Sequence, residues 1–184
     1  MRSLAAFLDE RNPDIFGLSE IESGDALAIA TRFARQWAYR GGEAIFWRRM
    51  LDGPRVQEEY LPAPLGRPFE RRGYLAVRAR IADTPLQIAA TSIVEDERDA
   101  RIRRMRFLRN RLRGAPPACV LFARLPRGRV GLQDLGFFSA AVAPDGTYGI
   151  FIRRFITNED VSQKRSYEAI GTPLCARLQL TAAG

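Results

Sequence analysis

Glu20 is the residue of this chain best placed to do chemistry. It follows Pro13-Asp14-Ile15-Phe16-Gly17-Leu18-Ser19, a short apolar run that reads as a buried strand delivering a carboxylate at its C-terminal end. A strand-end carboxylate can hold a hard cation such as magnesium, which takes oxygen ligands and leaves room for a substrate phosphate. The plainer account is a solvated surface acid beside Glu22. A second acidic group, Glu95, Asp96, Glu97 and Asp99, could also face a cation. Acids in the first turn of a helix are, however, expected from the helix dipole alone.

What the chain lacks narrows the chemistry further. None of its 184 residues is histidine. That excludes Ser-His-Asp and Cys-His catalysis and every imidazole metal site. Carboxylates, arginines or a bare divalent cation are what remain. Phosphate-cradling glycine loops of the G-x-G-x-x-G and G-x-x-x-x-G-K-[ST] types are absent. Cys119 and Cys175 lie in apolar runs without metal spacing and read as buried, reduced thiols.

The formal charge is +8, carried almost wholly by arginine, with Lys164 the one lysine. Such a charge attracts polyanions, and it also fits a compositional bias of the source. Arg101, Arg103, Arg104, Arg106, Arg109, Arg111 and Arg113 could form a helix face on a phosphate backbone, or a solvated face. Phe137 and Phe138 read as core packing rather than a base-stacking platform. No run approaches the ~20 apolar residues of a membrane span, and the first apolar stretch breaks at Asp9-Glu10, so a soluble cytoplasmic protein without a membrane partner is expected.

These residues need elements to hold them. Leu4, Phe7 and Leu8 predict a helix that ends before Asn12-Pro13, and a strand follows over 14–18. Ser23 is expected to cap a second helix with Leu27, Ala30, Phe33, Ala34 and Trp37 on its apolar face. Gly41-Gly42 turns the chain into a strand over 44–47. The Pro- and Gly-rich stretch 53–68 reads as a surface loop near a site. Strands over 74–81 and 86–93 form a hairpin through Ala82-Asp83-Thr84-Pro85. A long helix opens at Glu95-Asp96-Glu97 with Ile102, Met105, Leu108 and Leu112 on one side, and Gly114 to Pro117 stops it. Strands over 119–125, 136–142, 148–156 and 174–180 complete the chain. The whole, 1–184, reads as one domain with 46% hydrophobic residues, enough for a sizeable core.

In this order the pieces resemble the endonuclease/exonuclease/phosphatase superfamily, the magnesium-dependent phosphodiesterases that include deoxyribonuclease I. The segment 14–21 matches the family's Leu-Gln-Glu strand end, with Glu20 at the metal-binding glutamate and Ser19 in place of glutamine. Ala44 to Arg48 matches the second strand, the hairpin through Thr91 the third motif, and Arg101 the helix arginine. The resemblance implies an α/β fold, two mixed β-sheets packed as a sandwich flanked by helices. It also implies magnesium or manganese at Glu20 if any activity is retained.

Most catalytic motifs depart from that pattern. Thr-His becomes Thr91-Ser92, Gly-Asp-Phe-Asn becomes Ala123-Arg124-Leu125-Pro126, and Ser-Asp-His-x-Pro becomes Ala169-Ile170-Gly171-Thr172-Pro173. Arg124 neither accepts a proton nor binds a cation at neutral pH. The sequence begins at the helix that follows the family's first core strand, so the sheet is expected to lack an interior strand and to expose a pairing edge. The expectation is a non-catalytic binding or assembly module needing no cofactor. Its partner is nucleic acid at the arginine-rich helix, or a protein or second copy at the open sheet. The alternatives are a weak magnesium-dependent phosphodiesterase using Glu20, and a decayed remnant without selected activity.

Overall fold

The computed structural model describes residues 4–63, 72–93, 98–126, 131–143, 146–157 and 178–180. Helix α1 (Leu4–Arg11) stops where Asn12 takes a left-handed φ of 43°, and Pro13 then forces extended backbone into strand β1 (Ile15–Ser19). Helix α2 (Ser23–Arg32) follows. Its N-cap is Glu22 rather than Ser23, and no side chain caps it. The helix also ends earlier than its apolar spacing suggests. Ala34 turns left-handed at φ 48°, and Trp37 belongs to strand β2 (Gln36–Arg40). Leu27, expected on the apolar face, is exposed, while Ala26 and Ala30 are buried.

Gly41 and Gly42, with φ of 53° and 88°, make a two-residue turn into β3 (Glu43–Trp47). Both positions need positive φ to match the twist of the hairpin strands, and glycine supplies it at no steric cost. The expected surface loop is largely a strand, β4 (Asp52–Tyr60), paired antiparallel with β5 (Gly73–Ile81). It lies on the sheet edge and is mostly solvent-facing, which is why Pro54 and a bulge between Asp52 and Arg55 are tolerated there. The expected hairpin of β5 and β6 (Thr84–Ser92) is present, closed by Ala82 and Asp83 alone, both at positive φ.

Helix α3 (Arg98–Arg113) buries Ala100, Arg104, Leu108 and Leu112. An arginine therefore replaces the expected Ile102, which is exposed. Arg104 is tolerated inside because its Nε donates to the Pro62 carbonyl at 2.9 Å. The chain continues through β7 (Ala118–Arg124), a short 3₁₀ turn at Gln133–Leu135, β8 (Phe138–Val142) and β9 (Tyr148–Arg153). A left-handed Arg154, φ 59°, breaks the expected 148–156 strand, and β10 (Phe155–Thr157) pairs with β11 (Leu178–Leu180).

Two sheets result. The larger has the order β4-β5-β6-β7-β9-β8, mixed through one parallel pair, β6 with β7; the smaller is β1-β3-β2. They pack face to face, β2 over β4 and β5, β3 over β5 and β6, β1 over β6 and β7. The seam between them holds Ile45, Trp47, Leu75, Val77, Ile88, Ala90, Val120, Phe122, Ile150 and Ile152. At Gly17 the sheets come so close that a Cβ would lie 2.7 Å from Phe122. Helix α3 and the 3₁₀ turn cover the outer face of the large sheet; α1 and α2 cover the small one. This is the helix-flanked two-sheet α/β sandwich that the resemblance implies. Among the described strands β1 pairs on one side only, and β10-β11 stands as a separate ribbon. No described helix is long and apolar enough to cross a membrane.

Candidate functional site

Side chains alternate along a strand, so each inter-sheet core residue has its counterpart two residues on. Following β1, β3, β6, β7 and β9 toward one end, the sequence of core residues terminates in Ser19, Glu43, Ser92, Arg124 and Tyr148. Register places them together: Ser19 opposite Glu43, Ser92 beside Arg124, Arg124 opposite Tyr148. The apolar seam thus closes in a polar layer.

Glu43 is the unexpected member. It is 1% exposed and accepts a 2.6 Å hydrogen bond from the Ser19 hydroxyl. Burial pushes its carboxyl up to about 8, against the opposing effects of the Ser19 hydrogen bond and the Arg72 charge, with Glu20 adding to the rise. Glu43 is therefore largely protonated at neutral pH. Tyr148 hydrogen-bonds with Ser19, and burial, reinforced by Glu43, raises its hydroxyl despite that bond. The Ser92 hydroxyl is buried and has no hydrogen-bond partner among the described residues.

Glu20 lies one step past β1 at a left-handed φ of 60°. The same Oε1 meets Arg124 Nη1 at 2.7 Å and Arg72 Nη1 at 3.4 Å. Arg124 arrives from the end of β7. Arg72 arrives from just before β5, where the Gly73 amide donates to the Gly41 carbonyl at 3.1 Å. That crossing is close: a Cβ on Gly73 would sit 1.8 Å from the Arg40 carbonyl oxygen, so only glycine lets the β2-β3 turn rest there.

This donor set does not fit a divalent cation. Magnesium asks for several oxygen ligands, and two guanidinium groups beside the exposed carboxylate would repel it. The other acid of the layer points inward to Ser19. Among the described residues no group of three or more acids, cysteines or histidines could hold a metal. The acidic segment 95–97 lies outside the described residues, as do Cys175 and 169–173. Cys119 is free and buried, its thiol pushed up to about 12 by burial.

The arginine-rich helix is divided in its tasks. Arg104 is buried, Arg109 pairs with Asp134 at 3.5 Å, and Arg111 pairs with Glu59 while lying over the Phe107 ring. Arg106 and Arg113 are exposed, whereas Arg101 and Arg103 are half-buried. The seven arginines thus do not make one phosphate-facing surface. Of the paired aromatics, Phe137 is in the core and Phe138, 69% exposed, is not. The sequence singled out Glu20 as a candidate metal ligand and marked Ser92 and Arg124 only as departures from the family's catalytic motifs; it did not single out Glu43, Tyr148 or Arg72. The available signal was a charged residue opening the fully apolar run Ala44-Ile45-Phe46-Trp47.

No family model and no curated protein matches the sequence. Solved structures do. The endonuclease/exonuclease/phosphatase from Bacteroides vulgatus superposes with a TM-score of 0.74 at 11% identity, covering 95% of this chain and 87% of that one. The mannosyl-6-phosphatase Bt3783 of Bacteroides thetaiotaomicron gives 0.72 at 12% identity, covering 96% and 89%. TDP2 from D. rerio, complexed with a single-strand DNA product, gives 0.71 at 11% identity, covering 92% and 85%. The fold is that of the endonuclease/exonuclease/phosphatase superfamily. At these identities the likeness carries the scaffold and no activity.

Proposed function

We propose that this chain, built on the deoxyribonuclease I-like scaffold, is a non-catalytic binding or assembly module. The observation that supports this reading best is the state of its strand-end acids. Glu20, at the position of the family's metal-binding glutamate, is engaged by Arg124 and Arg72, and Glu43 is buried against Ser19. The carboxylate of one is held in ion pairs and the other is turned inward, an arrangement that does not favour general-base catalysis or metal coordination. Ser92 and Arg124 stand where the resembling motifs have histidine and aspartate, and losing one member of a cooperating catalytic set commonly costs several orders of magnitude.

The side of β1 left unpaired among the described strands is the surface that best suits a partner, because unpaired strand groups accept an added strand from another chain. Nucleic acid is the competing partner. The DNA product bound to D. rerio TDP2 lends it support, and the exposed Arg106 and Arg113 would carry it.

The test is hydrolysis of a generic phosphodiester and of plasmid DNA with magnesium or manganese, beside Glu20→Gln prepared identically. No turnover above the variant is expected. Metal-dependent turnover that the substitution abolishes would establish the alternative, a weak phosphodiesterase using Glu20. In parallel, binding to DNA that titrates away with salt would favour the nucleic-acid partner; none at low salt would leave the β1 edge.

A further inference from the structure

We infer that a guanidinium has taken the place of the cation: Arg124, with Arg72, is the built-in counter-charge of Glu20, and the strand-end centre is independent of metal. The inference rests on the non-catalytic reading above and deepens it by assigning the carboxylate a fixed, internal partner.

Three observations converge on it. Both guanidinium groups address the same oxygen, Glu20 Oε1, at 2.7 and 3.4 Å, and so lie against the carboxylate that a metal ion would use. They come from the large sheet, at the end of β7 and the approach to β5, whereas Glu20 ends β1 of the small sheet. The contact therefore clasps the two sheets at their polar end, a job a bridging metal could otherwise do. Lastly, among the described residues no second carboxylate stands ready beside Glu20: Glu43 is buried on Ser19, and Ser92 brings a neutral hydroxyl without charge to offset a dication. Two positive charges beside one exposed carboxylate leave an excess of positive charge, so a further dication meets net repulsion.

Unlike a metal, this cation cannot be removed by chelation or exchanged. It also cannot activate water, because a guanidinium stays protonated and has no open coordination position. The contact is thus a structural clasp whose counter-charge is written into the sequence.

The experiment is manganese binding to metal-free protein, read by the electron paramagnetic resonance signal of the free ion, for wild type, Glu20→Gln and Arg124→Asp. Wild type and Glu20→Gln should bind equally weakly. Arg124→Asp removes the occupant and adds an acid beside Glu20, and should bind one manganese at least about tenfold tighter. Saturable one-site binding by wild type that Glu20→Gln weakens about tenfold overturns the inference, as does a folded Arg124→Asp no tighter than wild type. Should Arg124→Asp not fold, melting of wild type decides: equal midpoints in chelator and in excess manganese support the clasp, and a manganese-dependent rise absent from Glu20→Gln overturns it. Metal binding without turnover sinks this inference and spares the proposed function; turnover that needs no metal does the opposite.

Discussion

Arg124 and Arg153 sit at opposite ends of the same pair of strands, β7 and β9, and do different work. Among the described residues Arg153 donates only to backbone: to the carbonyls of Pro117 at 3.1 Å, Leu112 and Ala115 at 3.2 Å, Leu135 at 3.3 Å and Pro116 at 2.7 Å. Its guanidinium also lies over the Phe137 ring. Leu112 lies in the last turn of α3, Ala115 to Pro117 follow it and Leu135 belongs to the 3₁₀ turn, so a cationic fork joins these carbonyls while meeting the negative end of the helix dipole. Arg124 instead meets a half-exposed carboxylate on another sheet. One end of the ladder uses arginine to complete the backbone, the other to balance a charge. The first gathers backbone carbonyls, the second neutralises a side chain across the two sheets, and substitution should separate them.

The largest effect is expected from Arg153→Ala, which strands several carbonyls at once and should cost about 2–4 kcal/mol in a denaturant titration. A loss no larger than that of Arg124→Ala would erase the contrast between the two ends.

The polar layer makes a pH prediction. Glu43 has a folded-state value of about 8 against an ordinary 4.5, so the native state holds a proton that the unfolded chain gives up between those values. Its contribution is therefore complete below pH 4.5 and is lost as the pH rises to about 8, a fall on the order of a few kcal/mol. Glu43→Gln keeps an acceptor for Ser19 and removes the titration. Denaturation at pH 5 and pH 8.5 should show wild type weakening and the variant holding steady; parallel behaviour of the two would mean the carboxyl is not buried as described.

The close approach of the sheets sharpens the comparison from the middle of the seam. Gly17→Ala places a methyl against Phe122 and should cost about 1–3 kcal/mol, measured by the same titration. Smallest of all, Arg124→Ala should cost about 1 kcal/mol or less, since partly exposed ion pairs contribute little. A much larger loss would make the clasp a folding element like Arg153.

How much of this was legible beforehand follows from where the physics leaves a trace in sequence. The strand ending at Glu20, the β5-β6 hairpin and α3 bury continuous or periodic apolar residues, and all were readable. Strand β4 was not, because an edge strand facing solvent carries Gln57, Glu58 and Glu59 where alternation would have marked a buried one. Trp37 continues the i, i+4 spacing of Phe33, and nothing in an alanine announces the left-handed turn at Ala34 that ends the helical stretch. The site divides in the same way. Glu20 and Arg124 stand at motif positions, but the contact between them spans 104 residues and depends on how the sheets stack. Glu43 escaped notice because a buried acid looks in sequence like any turn-flanking glutamate; only the hydroxyls of Ser19 and Tyr148 around it give it meaning.

The most direct test of the central claim is a crystal of the wild-type protein soaked in manganese, with anomalous diffraction collected at the manganese edge. The account predicts no anomalous peak at Glu20 and both guanidinium groups still on its carboxylate. A peak within coordination distance of Glu20, with Arg124 swung away, would contradict it.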